Sequence, residues 1–340
     1  MDLLIFDMDG VLIDVSQSYR KTIQQTIHLY LTDCLGLRAD LVSPEAISLF
    51  KATGGFNNDW DLTAGFLRYL LSISKIPSLP QKRHFSAPEE TVLFLRKRLR
   101  HFHQRGIIRV QRKHLLSFLD QVKASGGGLK GVRKVLKGIG EGWIYHSGDL
   151  HQQNLVKRIF QEIYLGEKFS SHYHLQPLFY REEGLYLREK LLIKREILSS
   201  LRKRMKLGIA SGRPRFEAEL ALKQFQLAPY FDTLVTLDEC EEEEERIFKD
   251  TGKKVRRSKP HPYPILRAIR EVGLSDPQCG YVGDVADDMV AAKAARKEAK
   301  MLAIGFVSGH QNRKAIEESL RRSGADWIIR NPAELLRLIH

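Results

Sequence analysis

Two patterns of apolar residues alternate along this chain. Short runs that are almost wholly apolar predict buried strands, and longer stretches with apolar positions every three or four residues predict helices. Residues 3–6 (Leu-Leu-Ile-Phe), 206–210, 233–238, 279–283, 301–306 and 327–329 read as strands. Between and after them, 188–204, 263–272, 289–297, 312–323 and 332–339 carry the helical period. Strands that alternate with helices predict an α/β fold: a doubly wound parallel sheet with ligands at the carboxyl ends of its strands.

About 200 residues separate Asp7, at the end of the first strand, from Ser211, at the end of the second. Neighbouring parallel strands need a crossover of only about a dozen residues or more. The excess predicts an inserted, mainly helical domain over 15–199, which leaves 1–14 and 200–340 as a discontinuous core. Asp14 and Ser16 are candidate caps for its first helix, along which Tyr19, Ile23, Ile27, Tyr30, Leu31 and Cys34 recur at helical spacing. Residues 76–90 read as a linker running into a helix start, and 160–166 as a late helix. A turn at 184–186 leads back to the core. Gly126-Gly127-Gly128 lacks the spacing of a nucleotide-binding loop and reads as a connection between helices.

The predicted strand ends carry the chemistry. The first runs into Asp7-Met8-Asp9-Gly10, where alternation points both carboxylates the same way and a turn at Gly10 brings a backbone carbonyl toward the same ion. Two carboxylates this close repel unless a cation lies between them, and hard oxygen ligands with room for water favour magnesium. The second ends in Ser211-Gly212-Arg213-Pro214, a hydroxyl and amides at an expected helix N-terminus, which suits a phosphate. Lys259 lies in Ser258-Lys259-Pro260-His261-Pro262, just ahead of the helix at 263–272. Asp284 closes the strand at 279–283, and Asp288 follows one helical turn later, so the two acids can face one site.

In residue type, order and strand context, Asp7-x-Asp9-Gly10-Val11, Ser211-Gly212-Arg213, Lys259-Pro260 and Gly283-Asp284-x-x-x-Asp288 resemble the four motifs of the haloacid dehalogenase superfamily of phosphohydrolases. The resemblance covers 1–14 and about 200–340. It implies a Rossmannoid core, and it makes the insertion a type-one cap, as in subfamily IA, that closes over the site and selects substrate. The loop from Lys51 through Gly54, Gly55, Asn57, Asn58 and Trp60 resembles a cap loop of the phosphoglycolate-phosphatase-like branch, which makes Asn57, Asn58 and Trp60 candidate substrate contacts. The same residues read equally well as a helix N-cap with Trp60 in the core.

The expected mechanism follows from charge placement. Asp7 attacks phosphorus to form an aspartyl phosphate, while Asp9 protonates the leaving oxygen and then activates water. Mg2+ is expected at Asp7, Asp9 and Asp284, with Asp288 completing the set or orienting a water or Lys259. Ser211 and the Gly212 amide hold a phosphate oxygen, and Lys259 offsets the remaining charge. The dehalogenases of the superfamily lack an acid at the position of Asp9, so dehalogenation is not expected. The expected substrate is a small phosphomonoester, such as phosphoglycolate or a sugar or amino-alcohol phosphate, with a nucleotide as a further option. A phosphomutase keeps both acids and stands as the alternative.

Composition sets limits. With 340 residues and 43% hydrophobic content the chain can bury a large core and hold two domains. Cys34, Cys240 and Cys279 are too few and too scattered for a disulfide framework or a zinc site, which makes a reducing cytoplasm the expected location. No run approaches eighteen apolar residues and no basic-then-apolar leader opens the chain, so neither membrane insertion nor secretion is expected. His146, Asp149 and His151, like His172 and His174, lack a third ligand at a recognisable spacing and read as loop residues. The acidic run 241–245, followed by Lys253, Lys254, Arg256 and Arg257, reads as a mobile, solvated excursion. Charge is uneven: residues 81–140 hold fifteen Lys or Arg against three acids, a net +12 out of +14 for the chain. A solvated helix face is the ordinary reading of this excess. The rival function outside catalysis is binding of nucleic acid or a partner by that face. Phe94, Phe102 and Phe118 fit a core stripe better than a base-stacking surface. Nothing in the pattern specifies an oligomeric state.

Overall fold

The computed structural model describes residues 1–56, 58–79, 83–102, 104, 106–308 and 313–339. The chain divides into Ser16–Glu189 and a second unit that joins Met1–Val15 to Lys190–His340. In Ser16–Glu189 the described residues form helices α1 (Tyr19–Leu29), α2 (Pro44–Lys51), α3 (Asp59–Ile73), α4 (Pro88–Leu99), α5 (Arg112–Ala124), α6 (Gly128–Val135), α7 (Leu155–Leu165) and α8 (Glu167–Tyr173). Neither Asp14 nor Ser16 caps α1. The residue before the helix is Ser18, whose hydroxyl donates to Glu189 at 3.0 Å instead. Glu189 also accepts from the Tyr164 hydroxyl at 3.0 Å, so one buried carboxylate fastens the start of this unit to its end.

Two further features organise the helical unit. On α7, Arg158 and Glu162 form a buried ion pair at 2.5 Å. The second oxygen of Glu162 accepts the amides of Leu178, Phe179 and Tyr180 at 3.0, 2.7 and 3.1 Å, which holds a segment with no regular structure of its own. The Gly126-Gly127-Gly128 connection between α5 and α6 crosses the chain after α2, at Gly54 and Gly55, backbone to backbone. The Gly128 amide donates to the Gly54 carbonyl at 2.9 Å, and a Cβ on Gly128 would lie 2.2 Å from the Gly55 oxygen. Outside that crossing, α6 exposes Lys130, Arg133 and Lys134 opposite buried Gly131 and Val132, and Lys137 is exposed just past its end. Among the described residues of 81–140, ion pairs form at Arg109, with Asp40, and at Arg112, with Glu45. His172 falls within α8 rather than in a loop.

The other unit is built on a parallel six-stranded sheet. Its strands are β1 (Leu3–Phe6), β4 (Lys206–Ala210), β5 (Thr233–Val235), β6 (Gln278–Gly283), β7 (Lys300–Phe306) and β8 (Trp327–Ile329), in the order β5-β4-β1-β6-β7-β8. Strands β2 (Ile13–Asp14) and β3 (Lys190–Leu191) form a separate antiparallel pair. Helices α9 (Arg195–Arg202), α10 (Arg215–Gln224), α11 (Leu237–Thr251), α12 (Tyr263–Val272), α13 (Ala286–Ala295) and α14 (Arg313–Arg322) surround the sheet. Strand β1 lies at the centre and all four of its residues are buried, as a strand covered on both faces requires. Leu3, Ile5, Tyr281 and Ala303 pack in one core with Ile265 and Ala268 of α12 and with Met289, Ala291, Ala292 and Ala295 of α13. The small residues let α13 lie close to β6 and β7.

Three expectations change here. The helix expected at 188–204 shrinks to α9, because Lys190–Leu191 pairs with Ile13–Asp14. The strand expected at 233–238 stops at Val235, because Thr236 caps α11 through a capping box with Glu239. The acidic run 241–245 is helix rather than a mobile excursion. Ion pairs one turn apart, Arg246 with Glu243 and Asp250 and Lys249 with Glu245, draw its charge into α11. The last segment, Pro332–Ile339, is a 3-10 helix. Among the described residues no helix is long and apolar enough to cross a membrane.

Candidate active site

The centre of the sheet delivers the polar residues to one edge. Phe6 lies level with Ile209 of β4 and Val282 of β6, so Asp7, Ser211 and Asp284 all emerge just past the ends of three adjacent strands. Asp7 continues β1 far enough for its amide to donate to the Val282 carbonyl at 2.8 Å. The chain then turns: the Leu12 and Ile13 amides both return to the Met8 carbonyl. Asp9 therefore lies in a turn, not on the extended strand that the alternation reading required. Gly10 has φ +78°, and a Cβ there would lie 2.0 Å from Asp284 Oδ2, so glycine is needed twice over.

Asp7, Asp284 and Asp288 are buried and offer carboxylate oxygens within 4.8 Å of one another. Lys259, from the loop ahead of α12, reaches Asp7 at 2.9 Å, Asp288 at 2.7 Å and the Tyr281 hydroxyl at 2.8 Å. That loop is anchored by the acidic run, since Glu244 accepts the Arg257 amide at 2.6 Å. Asp288 accepts four hydrogen bonds: from Lys259 and Tyr281 on one oxygen, and from the amides of Asp284 and Val285 on the other at 3.1 and 3.2 Å. It thus holds the lysine and the start of α13 together.

Burial disfavours the charged form of Asp7, and Asp288, Asp284 and Asp9 add repulsion. Against the pull of Lys259, its carboxyl is pushed up to about 8. Burial alone pulls Lys259 down, but Asp288 and Asp7 beside it, together with Tyr281, hold its ammonium well above the ordinary lysine range. A single ammonium does not balance this group of carboxylates. The donor set, all hard oxygen and in excess of its counter-charge, fits a divalent cation such as Mg2+.

Ser211 is buried, and its Oγ accepts the Arg213 amide at 3.2 Å. Of the amides expected to face an anion, that of Arg213 is thereby used, and the Arg215 amide goes to Asp238 at 2.7 Å. The Gly212 amide remains, on an exposed residue. Two participants went unassigned in the sequence. Arg213 donates to Asp9 Oδ1 from Nε at 2.6 Å and from Nη2 at 2.5 Å. Tyr281 links Lys259, Asp288 and the Ala210 carbonyl. An arginine inside a motif and a hydroxyl-bearing ring inside an otherwise apolar strand were the available signals.

The residues singled out in the insertion belong to the helical unit. Asn57 lies outside the described residues. Asn58 caps α3, accepting the Asp61 amide at 2.7 Å. Trp60 is half-buried, edge-on to Phe160, with the Lys157 ammonium 4.3 Å above its ring.

Comparison with known proteins agrees with this geometry. The chain is 27% identical to pyrophosphatase PpaX of Bacillus pumilus over 134 residues, 39% of this chain and 51% of that protein. It is 28% identical to the phosphoglycolate phosphatase of Escherichia coli over 129 residues, 38% of this chain and 44% of that one. It therefore spans about half the length of these curated relatives. Phosphatase Tt82 from Thermococcus thioreducens shares the fold, with a TM-score of 0.53 at 18% identity over 94% of this chain and 99% of that one. A family model described as haloacid dehalogenase-like hydrolase matches residues 1–296, which include all four motifs and the acids they bring together. The chain belongs to the haloacid dehalogenase-like hydrolases.

Proposed function

We propose that this chain is a Mg2+-dependent hydrolase of a small phosphorylated metabolite, working through an aspartyl phosphate. The observation that carries this reading is the buried Asp7, in ion-pair contact with Lys259 and grouped with Asp284 and Asp288 at the edge of the sheet. Asp7, Asp284 and the Asp9 carbonyl would hold the ion, with Asp288 as its neighbour through the Asp284 amide. When bound, the ion supplies positive charge that keeps Asp7 ionised and offsets the phosphate's charge.

The protein's own groups account for the rest. An Asp7 oxygen bonds to phosphorus as the bond to the leaving oxygen breaks, and that oxygen takes a proton from Asp9. Water then adds to phosphorus, Asp9 takes the proton back, and the Asp7–phosphorus bond breaks. Ser211 Oγ and the Gly212 amide hold a non-bridging oxygen, and Lys259 sets Asp7 in place and balances charge. Selection among substrates falls to Ser16–Glu189 as a cap. Within it, Asn58 is committed to capping α3, while Trp60 stays a candidate contact: its indole N–H has no hydrogen-bond partner among the described residues. The named activities of two relatives, on phosphoglycolate and on pyrophosphate, put both compounds first among the substrates to try.

The test is release of inorganic phosphate from phosphoglycolate, pyrophosphate and a panel of sugar and amino-alcohol phosphates, in Mg2+ or EDTA. Metal-dependent release that falls at least about a thousandfold in Asp7→Asn is expected. Wild-type turnover by Asp7→Asn would end the scheme. Phosphate moved within a sugar phosphate without release would favour the mutase.

A further inference from the structure

We propose that Arg213 is a positioning residue for proton transfer, holding Asp9 by one carboxylate oxygen so that the other is turned to the leaving group. This rests on the phosphatase reading, in which Asp9 protonates the leaving oxygen. The Arg213 side chain is 1% exposed, whereas that of Asp9 is 30% exposed. Both guanidinium donors converge on Asp9 Oδ1, and Oδ2 has no hydrogen-bond partner among the described residues. The arginine is itself fixed: its amide donates to Ser211 Oγ at 3.2 Å, and its carbonyl accepts the Leu237 amide at 2.9 Å. The clamp is therefore built from the ends of β4 and α11, and the acid it grips stands on the turn after β1.

An ion pair with a part-exposed carboxylate adds little stability of its own. What a rigid fork supplies is orientation. With two N–H donors aimed at Oδ1, a proton on Asp9 belongs on Oδ2. As the bond between Asp7 and phosphorus forms and the bond to the leaving oxygen breaks, the electron pair left on that oxygen takes the Oδ2 proton. In the second half the proton of the attacking water returns to Oδ2. Without the fork, Asp9 on its turn is free to present either oxygen in many orientations. The loss should then fall on proton delivery and leave substrate binding nearly unchanged.

Two aryl esters of the same shape isolate that step. The leaving group of p-nitrophenyl phosphate departs without a proton, whereas that of phenyl phosphate is a much stronger base and needs one. With Mg2+ present, Arg213→Gln is expected to lower kcat on phenyl phosphate at least about tenfold more than on p-nitrophenyl phosphate, with KM changed less than about threefold. Arg213→Lys, which keeps the charge but not the fork, should fall between wild type and Arg213→Gln. It also covers the case in which the glutamine variant does not fold. In an Asp9→Asn background, Arg213→Lys should cost nothing further. Equal losses on both esters, or a further loss of similar size in the Asp9→Asn background, would overturn the proposal and leave the phosphatase reading intact. Wild-type protein inactive on both esters and on the metabolite panel would overturn the two together.

Discussion

As the proposed nucleophile Asp7 would have to be ionised, and its surroundings oppose ionisation. Burial is the larger influence and the neighbouring carboxylates the smaller, and Lys259 only partly cancels them. The consequence for stability has a definite sign. Without metal, the folded chain keeps a proton on Asp7 up to about pH 8, whereas an unfolded aspartate has lost it just above 3.8. Between these values the folded state binds more protons, so stability falls as the pH rises through the window. A divalent ion bound among these acids would remove the penalty by favouring the charged form. Thermal denaturation in EDTA should therefore give a lower Tm at pH 8 than at pH 5 from this group, and Mg2+ should raise Tm more at pH 8. Asp7→Asn should flatten both effects. Stabilisation by Mg2+ that is the same at both values would count against the site. At this scale the sequence pointed to Asp7, Lys259, Asp284 and Asp288, because each follows a strand, precedes a helix or stands in a helix's first turn in a recognisable pattern. Arg213 and Tyr281 were not legible as partners, because a buried side chain's partner lies across the fold and leaves no local pattern.

Among the elements, legibility followed periodicity. The central strands were plain because a strand buried on both faces is a continuous apolar run. The acidic run misled because charge read along the chain resembles a solvated loop, whereas read around a helix it becomes pairs one turn apart, Glu243 with Arg246 and Glu245 with Lys249. Lys190–Leu191 was hidden for the opposite reason: a two-residue strand carries too little pattern to register. Helix α7 shows how much a single side chain can organise. Glu162 takes Arg158 on one oxygen and three successive amides on the other, with no exposure to solvent. Glu162→Gln leaves the Arg158 charge buried without its counter-ion and should cost about 3–5 kcal/mol in urea denaturation. A loss below about 1 kcal/mol would mean that the guanidinium finds water when its partner is neutralised.

For the molecule as a whole, charge is arranged differently in the two units. Cations in the sheet unit are drawn into pairs such as Arg202 and Lys206 with Asp232, Arg267 with Glu271 and Arg330 with Glu317. The cations of α6 face outward, and among the described residues none of them forms an ion pair. The chain also leaves the sheet unit and re-enters it through a single paired stem, with Asp14 opposite Lys190 and Ile13 opposite Leu191. A chain in which a two-residue Asn-Gly turn joins Asp14 directly to Lys190, in place of 15–189, would close that stem as an ordinary hairpin. It should still unfold cooperatively, with Mg2+ raising its Tm, as calorimetry can check. Loss of cooperative unfolding would show that the sheet depends on the helical unit. The stem is a socket: residues about 5 Å apart accept whatever is plugged between them, so a foreign helical insert with matching ends could be grafted there while the sheet keeps its acids.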